Sequence, residues 1–594
     1  MRKYFIESPL SLIEYCEAAL GRRKPTLAIK NVNIVNVYTA SIDEGSILIY
    51  KDRIIALTDK GSVVAEKIID GEGKYAIPGL MDAHIHIEST MLLPTELSKI
   101  LIPHGVTSIF ADPHEIANVL GVKGVRLLLE IAKASLLRVF IEVPSRVPTA
   151  PKLEDAGASL GINETRELLA LEEAVSLGEL NYQNLLGENS SFYLEKVVIS
   201  DSLGKIVNGH MASVPKELLN ALSSLGLIDD HETLNYEEAI ERLKRGIAIM
   251  VREGSTERNL EDIVKGIINL HDKRKILMCT DDKHPQDIVS EGHIDYNVKK
   301  AIELGLDPVE AIQMATVNIA QHFGLDTYIG VIAPLRKADI VIVNDIRKLN
   351  VIHVVFDGKL VFSREKFLVE LAKPKMPKWV LETVKISSEI GANDLVLKAP
   401  IREGKAKVRV MGVVEGQIIV KELHCWLEIK NNVVLPDLEN DVLYIAVIER
   451  HRGLKSIGKA FVKGFGLKKG ALASTVAHDH HNVVVVGTNP EDMFAAVKFL
   501  EKYGGGFAVV NSKELKAIVE LPFAGLLSLD PAEKVIKKLN KANEEAKKLG
   551  CKLKSPFMQL EFITLPTVPE LGLTNRGLID SRNYKLIEPI IELK

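Results

Sequence analysis

The chain has 594 residues, with 75 Lys and Arg against 79 Asp and Glu and a formal net charge of −4. This balance argues against a nucleic-acid polymer as partner, and no uninterrupted run of about 20 apolar residues is present to cross a membrane. The four cysteines, Cys16, Cys279, Cys425 and Cys551, form no CxxC pair, which excludes a zinc-finger or disulfide framework and fits a reducing compartment. Residues 1–20 are broken by Glu7, Pro9, Glu14 and Glu17, so no signal peptide is read there and a cytoplasmic protein is expected.

In chain order, apolar positions Leu10, Ile13, Ala18 and Leu20 predict a short helix ending at Gly21. Alternating segments at 27–30, 33–37, 46–50 and 53–57, punctuated by Gly and Asp, predict a small antiparallel sheet. From Tyr75 the rhythm changes. Eight apolar segments alternate with helical stretches, and each ends in polar residues. The first ends at His84-Ile85-His86, the second (106–111) at Asp112-Pro113-His114-Glu115, and the third (138–143) at Pro144-Ser145-Arg146. The fourth (174–178) ends at Glu179, the fifth (206–209) at His210, and the sixth (226–228) at Asp229-Asp230-His231-Glu232. The seventh (247–251) ends at Arg252-Glu253-Gly254-Ser255 and the eighth (275–280) at Asp281-Asp282-Lys283-His284. Eight such units predict an α/β fold, a (β/α)8 TIM-like barrel whose chemistry lies at the C-terminal strand ends.

A helix over 308–323 and strands at 339–343 and 351–356 follow. These strands resemble the N-terminal ones, so the barrel is read as inserted in a small β-sandwich domain. Beyond a linker marked by Pro374 and Pro377, strands at 407–414, 417–420, 442–448 and 482–487 and helices at 491–503 and 531–549 predict a C-terminal α/β domain. The expected units are 1–76 and 329–372 (small β domain), 77–328 (barrel) and 373–594 (C-terminal domain).

In a strand, residues i and i+2 point to the same side, so His84 and His86 present two imidazoles, about 6–7 Å apart, to one point. Alone this is a pair of half-buried histidines as readily as a metal site. His210 can be a core histidine, His231 a loop residue, Glu179 a surface charge, and Asp281 a helix cap. Their joint placement at strand ends of one barrel favours a shared site. Four imidazoles and two carboxylates suffice for two divalent ions if Glu179 bridges them.

The run Pro78-Gly79-Leu80-Met81-Asp82-Ala83-His84-Ile85-His86 resembles the signature of the amidohydrolase superfamily. The stretches 82–89, 111–119, 252–255, 279–285 and 291–295, with Ala477-His478-Asp479 and His481-Asn482, resemble the adenine deaminase family of bacterial and archaeal type within it. The resemblance implies hydrolytic deamination of adenine to hypoxanthine and ammonia, as in purine salvage. It supports two divalent ions per subunit, Mn²⁺ or Fe²⁺ before Zn²⁺, held by His84, His86, Glu179, His210, His231 and Asp281. Asp281 is expected to carry the water's proton to ammonia, and Glu232 to act as acid beside N1. His114 and Glu115 are expected to bind substrate or support the metal shell, Arg252 and Ser255 to orient the purine, and His478 to bind substrate. A homodimer acting on the small molecule alone is expected. Two alternatives stay open: hydrolysis of a cyclic amide or related heterocycle by the same metal core, and a non-catalytic scaffold. A zinc base deaminase is excluded, because no Pro-Cys-x-x-Cys motif occurs.

The segment 478–481 is the densest histidine cluster in the chain. Consecutive strand residues face opposite ways and cannot all converge on one ion, so the segment is expected to reach the active site of its own or a neighbouring subunit. Gly504-Gly505-Gly506 reads as a loop, since it lacks the lysine and spacing of a phosphate cradle.

Overall fold

The structure, a computed structural model, describes residues 8–415, 419–567 and 570–594. The first seven residues of the N-terminal stretch, and the first half of the strand predicted at 417–420, lie outside the described residues. Helix Pro9–Ala19 forms as predicted, with Pro9 in its first turn and Ser8 accepting the Ser11 N–H. Among the described residues no helix is long and apolar enough to cross a membrane.

The small domain is one nine-stranded sheet built from both ends of the barrel segment. Leu27–Asn36, Ser41–Tyr50 and Arg53–Thr58 pair antiparallel, as predicted. Lys67–Asp70 and Tyr75–Pro78, however, both run parallel to Leu27–Asn36, a departure from the antiparallel expectation. Tyr75–Pro78 also pairs with the returning strand Ile340–Val343, so the strand that leads into the barrel starts inside this sheet. Ile29, Ile34, Ile47, Ile49, Ile340 and Ile342 share one core, which ties the two halves together.

Eight parallel strands follow: Leu80–Ile85, Val106–Ala111, Arg138–Pro144, Ala174–Asn181, Ile206–His210, Asp229–Asp230, Ala248–Arg252 and Ile276–Cys279. The first five pair in sequence order, and so do the last three. Single bridges between Val207 and Leu227 and between Ile85 and Asp281 join the two groups and close the ring. Two strands differ from the expectation. The sixth is the pair Asp229–Asp230 rather than 226–228, because Gly226 is still turning at φ 98° and Asp229 accepts the Gly209 N–H of the neighbouring strand. The fourth runs on to Asn181, so Glu179 lies within it. Its pairing with the fifth strand slips between Val207 and Gly209, where Leu177 and Leu180 are successive partners. One extra residue is thus inserted at Glu179, whose φ of 38° is left-handed. Such a bulge re-aims a side chain, here towards the barrel mouth.

The helix predicted over 308–323 is two helices, Pro308–Met314 and Val317–His322. Met81 of the first barrel strand donates its N–H to the Ala315 carbonyl at 2.9 Å, and Thr316 leaves the helical region at ψ −93°. The C-terminal domain has a ten-stranded sheet, a separate three-stranded sheet, and helices Pro490–Tyr503 and Ala532–Lys548. The first of these is capped by Asn489 and stopped by Gly504 at φ 77°. The domain docks on the barrel through Ser528, whose N–H donates to the Met91 carbonyl at 2.8 Å, and through the loop joining Ala471–Ser474 to Val483–Gly487.

Candidate metal centre and active site

The first barrel strand delivers His84 and His86 with ring centroids 4.9 Å apart, edge to face. Each ring is fixed from behind. His84 Nδ1 shares a 2.6 Å hydrogen bond with Glu142 Oε2, and His86 Nδ1 donates to the Asp112 carbonyl at 3.0 Å. Both Nε2 atoms are thereby turned to the barrel axis, the second support that metal-ligating imidazoles ordinarily have.

The carboxylates meet them there. Glu179 Oε1 is 2.9 Å from His86 Nε2 and 3.3 Å from His84 Nε2, and Asp281 Oδ1 is 3.1 and 3.7 Å from the same two atoms. The His231 ring stacks on His84 at 4.1 Å. Ligand atoms of His84, Glu179, His231 and Asp281 all lie within 4.8 Å of one another, and those of His210, His231 and Glu232 form an adjoining group. His210 Nδ1 is 3.2 Å from His231 Nε2 and 3.8 Å from Glu179 Oε2, so Glu179 stands between the two groups. His84 Nε2 is fully buried and makes no well-aligned hydrogen bond, its nearest acceptor being Glu179 Oε1 at 3.3 Å. A buried polar atom left unpaired is costly, and a cation at the convergence point would satisfy it.

The electrostatics agree with that fit. Burial opposes ionisation of Glu179, but His114, Arg146 and His86 outweigh it and hold the carboxyl well below its usual range. Burial likewise opposes ionisation of Asp281 and is outweighed by His86 and Arg252. Burial and the neighbouring His84 push His231 down to about 4, which leaves a neutral imidazole. For His84 and His86 burial works against the cationic form, yet the surrounding carboxylates raise both well above the ordinary value. The pocket is therefore built to hold positive charge, and a divalent ion would replace protons there. Glu179 and Asp281 are both non-glycine residues in the left-handed region, at φ 38° and 61°. Backbone strain of this kind gathers at functional sites.

The six residues expected to hold metal are thus brought together. Of the residues expected to bind substrate, His114, Arg252 and His478 line the cavity above the cluster. Glu115 does not line it; it is wholly buried behind His478, with Oε1 2.9 Å from His478 Nδ1. Ser255 is turned away: it donates to Asp287 Oδ2 at 2.5 Å and accepts the His284 N–H at 2.9 Å. The Gly254-Ser255 turn spends that hydroxyl on holding the loop after the eighth strand, which corrects the expectation of a purine contact. Ser255→Ala is expected to cost about 1 kcal/mol of stability and to leave KM and kcat within about twofold, checked by thermal melting and initial rates.

Glu232 also lies on the cavity wall, gripped by Arg252 through Nη1 at 2.7 Å and Nη2 at 3.2 Å. The same Nη1 donates to Asp281 Oδ2 at 2.8 Å. Burial raises Glu232, but Arg252 outweighs it and holds the group below its ordinary value. Residues outside the expected ligand and substrate sets complete the site. Glu142 braces His84, and a lone carboxylate inside an apolar strand is the signal that could have found it. Arg146 donates to both the carboxylate and the carbonyl of Glu179 and to Asp479. Asp479, Phe562, Leu565 and Thr567 of the C-terminal domain form the opposite wall, in the same chain as the barrel. No motif marks Phe562 or Leu565. Of the 478–481 segment, His478 and Asp479 line this cavity within their own chain.

Residues 75–361 match the model of the Amidohydrolase family, and residues 417–585 match that of the Adenine deaminase C-terminal domain. The chain is 44% identical to an adenine deaminase of Desulforamulus reducens over 98% of this chain and 99% of that one. It is 39% identical to an adenine deaminase of Dehalococcoides mccartyi over 97% of this chain and 99% of that one. A crystal structure of an adenine deaminase superposes with a TM-score of 0.43 at 17% identity, over 57% of this chain and 100% of that chain.

Proposed function

The chain belongs to the adenine deaminase family of the amidohydrolases, and from that premise we propose that it hydrolyses adenine to hypoxanthine and ammonia at the barrel mouth. The observation that carries this reading is the convergence of four imidazoles and two ionised carboxylates at the ends of the barrel strands. His84, His86, Glu179 and Asp281 would hold one divalent ion, and Glu179, His210 and His231 a second. Imidazole and carboxylate donors without thiolate suit Mn²⁺, Fe²⁺ or Zn²⁺. Such ions, when bound, supply Lewis acidity that brings the pKa of water towards about 7.

The chain's own residues then move two protons. Glu232, ionised beside Arg252, is a proton acceptor at rest. It takes the first proton of the attacking water and delivers it to N1 as oxygen adds to C6. That refines the sequence expectation, in which Glu232 stood as an acid from the start. Asp281 takes the second proton from the new hydroxyl and gives it to the departing amine. The C6–N bond breaks, C6=O forms, and the products are hypoxanthine and ammonia. Arg252 spans both proton carriers and sets their separation. Phe562 and Leu565 offer apolar surface to a flat heterocycle.

The activity test is direct. Protein loaded with Mn²⁺ or Fe²⁺ should release one ammonia and one hypoxanthine per adenine consumed. No turnover of adenine with Mn²⁺, Fe²⁺ or Zn²⁺, together with hydrolysis of a cyclic amide, would refute the reading. The role of Arg252 gives a pH prediction. A carboxylate with a depressed pKa works above that pKa and is lost as pH falls through it. Arg252→Met removes the main cation lowering Glu232 and one of those lowering Asp281. The acid limb of kcat/KM should therefore move to higher pH, and an unchanged limb would remove Arg252 from this role.

A further inference from the structure

The proposed bridging carboxylate does not rest on the barrel alone. Arg146 contacts Glu179 at two places: Nη2 donates to Oε2, and Nε donates to the main-chain carbonyl at 2.9 Å. One guanidinium thus fixes both the side chain and the backbone of a residue whose φ of 38° is unfavourable for any L side chain. The planar fork of arginine suits such a double grip; a lysine ammonium does not. Arg146 in turn needs an anchor, and the anchor comes from another domain. Asp479 Oδ2 accepts from Arg146 Nη1 at 3.2 Å, and its Oδ1 lies 3.3 Å from His114 Nε2. The His114 ring meets His86 edge to face at 4.7 Å. From one carboxylate, then, contacts run to two of the residues assigned to metal.

Asp479 is well placed to bear that load. It is only 5% exposed, and the loop that carries it is pinned on several sides. His478 N–H donates to the Glu561 carbonyl at 3.0 Å, His481 N–H to the Ala477 carbonyl at 2.7 Å, and His451 Nε2 to the His480 carbonyl at 2.9 Å. The loop is therefore a fixed part of the C-terminal domain projecting over the barrel mouth. We propose that Asp479 is a positioning residue for the metal centre: it holds Arg146 and His114 in place, and through Arg146 it fixes Glu179. This rests on the reading that Glu179 ligates metal. It gives the C-terminal domain a task, since without the 475–482 loop Arg146 loses its anchor and Glu179 can relax.

A rival use of the same atoms is a further metal site, because His114, His478 and Asp479 bring ligand atoms within 4.8 Å of one another. The guanidinium at 3.2 Å decides against it. Arg146 already supplies positive charge to the Asp479 carboxylate, and a divalent ion there would face a cation that stays protonated.

The test uses full-length protein loaded with Mn²⁺ and then challenged with excess chelator, with metal release followed over time and adenine kinetics measured in parallel. Supports standing behind metal ligands typically govern affinity or activity by about 10–100-fold. Asp479→Asn should speed Mn²⁺ release and lower kcat by a factor in that range, while KM for adenine stays within about twofold. Asp479→Glu should recover part of both. Arg146→Lys, which keeps the charge but loses the fork, should speed release in the same direction, and it decides the matter if the Asp479 variants fold poorly. Release at the wild-type rate from either Asp479→Asn or Arg146→Lys would overturn the proposal. So would an Asp479→Asn protein that lacks one whole metal equivalent at saturating Mn²⁺, since Asp479 would then be a ligand. Wild-type protein that holds metal firmly but ignores adenine, with variants that release metal faster, would sink the substrate reading and leave this proposal standing. Wild-type protein that binds no divalent ion would overturn both.

Discussion

Glu179→Gln is expected to lower kcat/KM for adenine by at least roughly 10³-fold and to leave the protein short of one equivalent of divalent metal. The magnitude follows from what the residue would hold. Lewis-acid stabilisation by bound metal is worth several kcal/mol of barrier, and each 1.36 kcal/mol is about tenfold in rate. Glu179 Oε1 faces His84 and His86 while Oε2 faces His210, so this one carboxylate spans both groups. Gln keeps the length and bulk, so the bulged backbone is retained. It removes the negative charge, and its single amide oxygen cannot serve Arg146 and the two histidines at once, as the two carboxylate oxygens do. Arg146 keeps Asp479 but loses the other of its two buried carboxylate partners, so the melting temperature should fall as well. Metal content and initial rates measured on the same preparation check the prediction. A variant with full metal and rates within about tenfold of wild type would remove Glu179 from the bridge.

Asp281→Asn is expected to lower kcat by about 10²–10⁴-fold, the range that general acid–base catalysis contributes. The substitution is a clean one. Asp281 sits at φ 61°, and Asn tolerates the left-handed region better than most residues, so the backbone should hold. Asn can still present an oxygen to Arg252, which donates to Asp281 at 2.8 Å. What it cannot do is accept the second proton of the water and return it to the amine. The loss should therefore fall on kcat more than on KM, and ammonia release should be the step that slows. Full retained activity would remove Asp281 from the mechanism.

Much of this site was legible because a barrel imposes one rule on many strands. Strand ends carry the chemistry, so His84, His86, Glu179, His210, His231 and Asp281 could be gathered from separate segments before any distance was known. The rule fails where local geometry departs from a straight strand. Glu179 is a bulge inside the fourth strand rather than its last polar residue, and the sixth strand slides to Asp229–Asp230 because Gly226 is still turning. It also fails for side chains claimed by a nearer partner. Ser255 belongs to the loop through Asp287, and Glu115 to His478, and no spacing reveals such pairings. The sequence marks Arg252 as a residue facing the substrate, but its grip on Glu232 and Asp281 arises only where three strands meet in the folded barrel. The wall formed by Asp479, Phe562 and Leu565 lies hundreds of residues from the barrel ligands, and only tertiary packing brings it there.

The account stands most directly on one titration. Chelator-stripped protein is mixed with increasing Mn²⁺, and ammonia release from adenine is measured at each addition. The expected result is activity that is negligible without metal, rises with each addition, and breaks sharply at two equivalents per chain. Adenine turnover that survives complete metal removal, or a break at one equivalent with no further gain, would contradict the two-metal site built on Glu179.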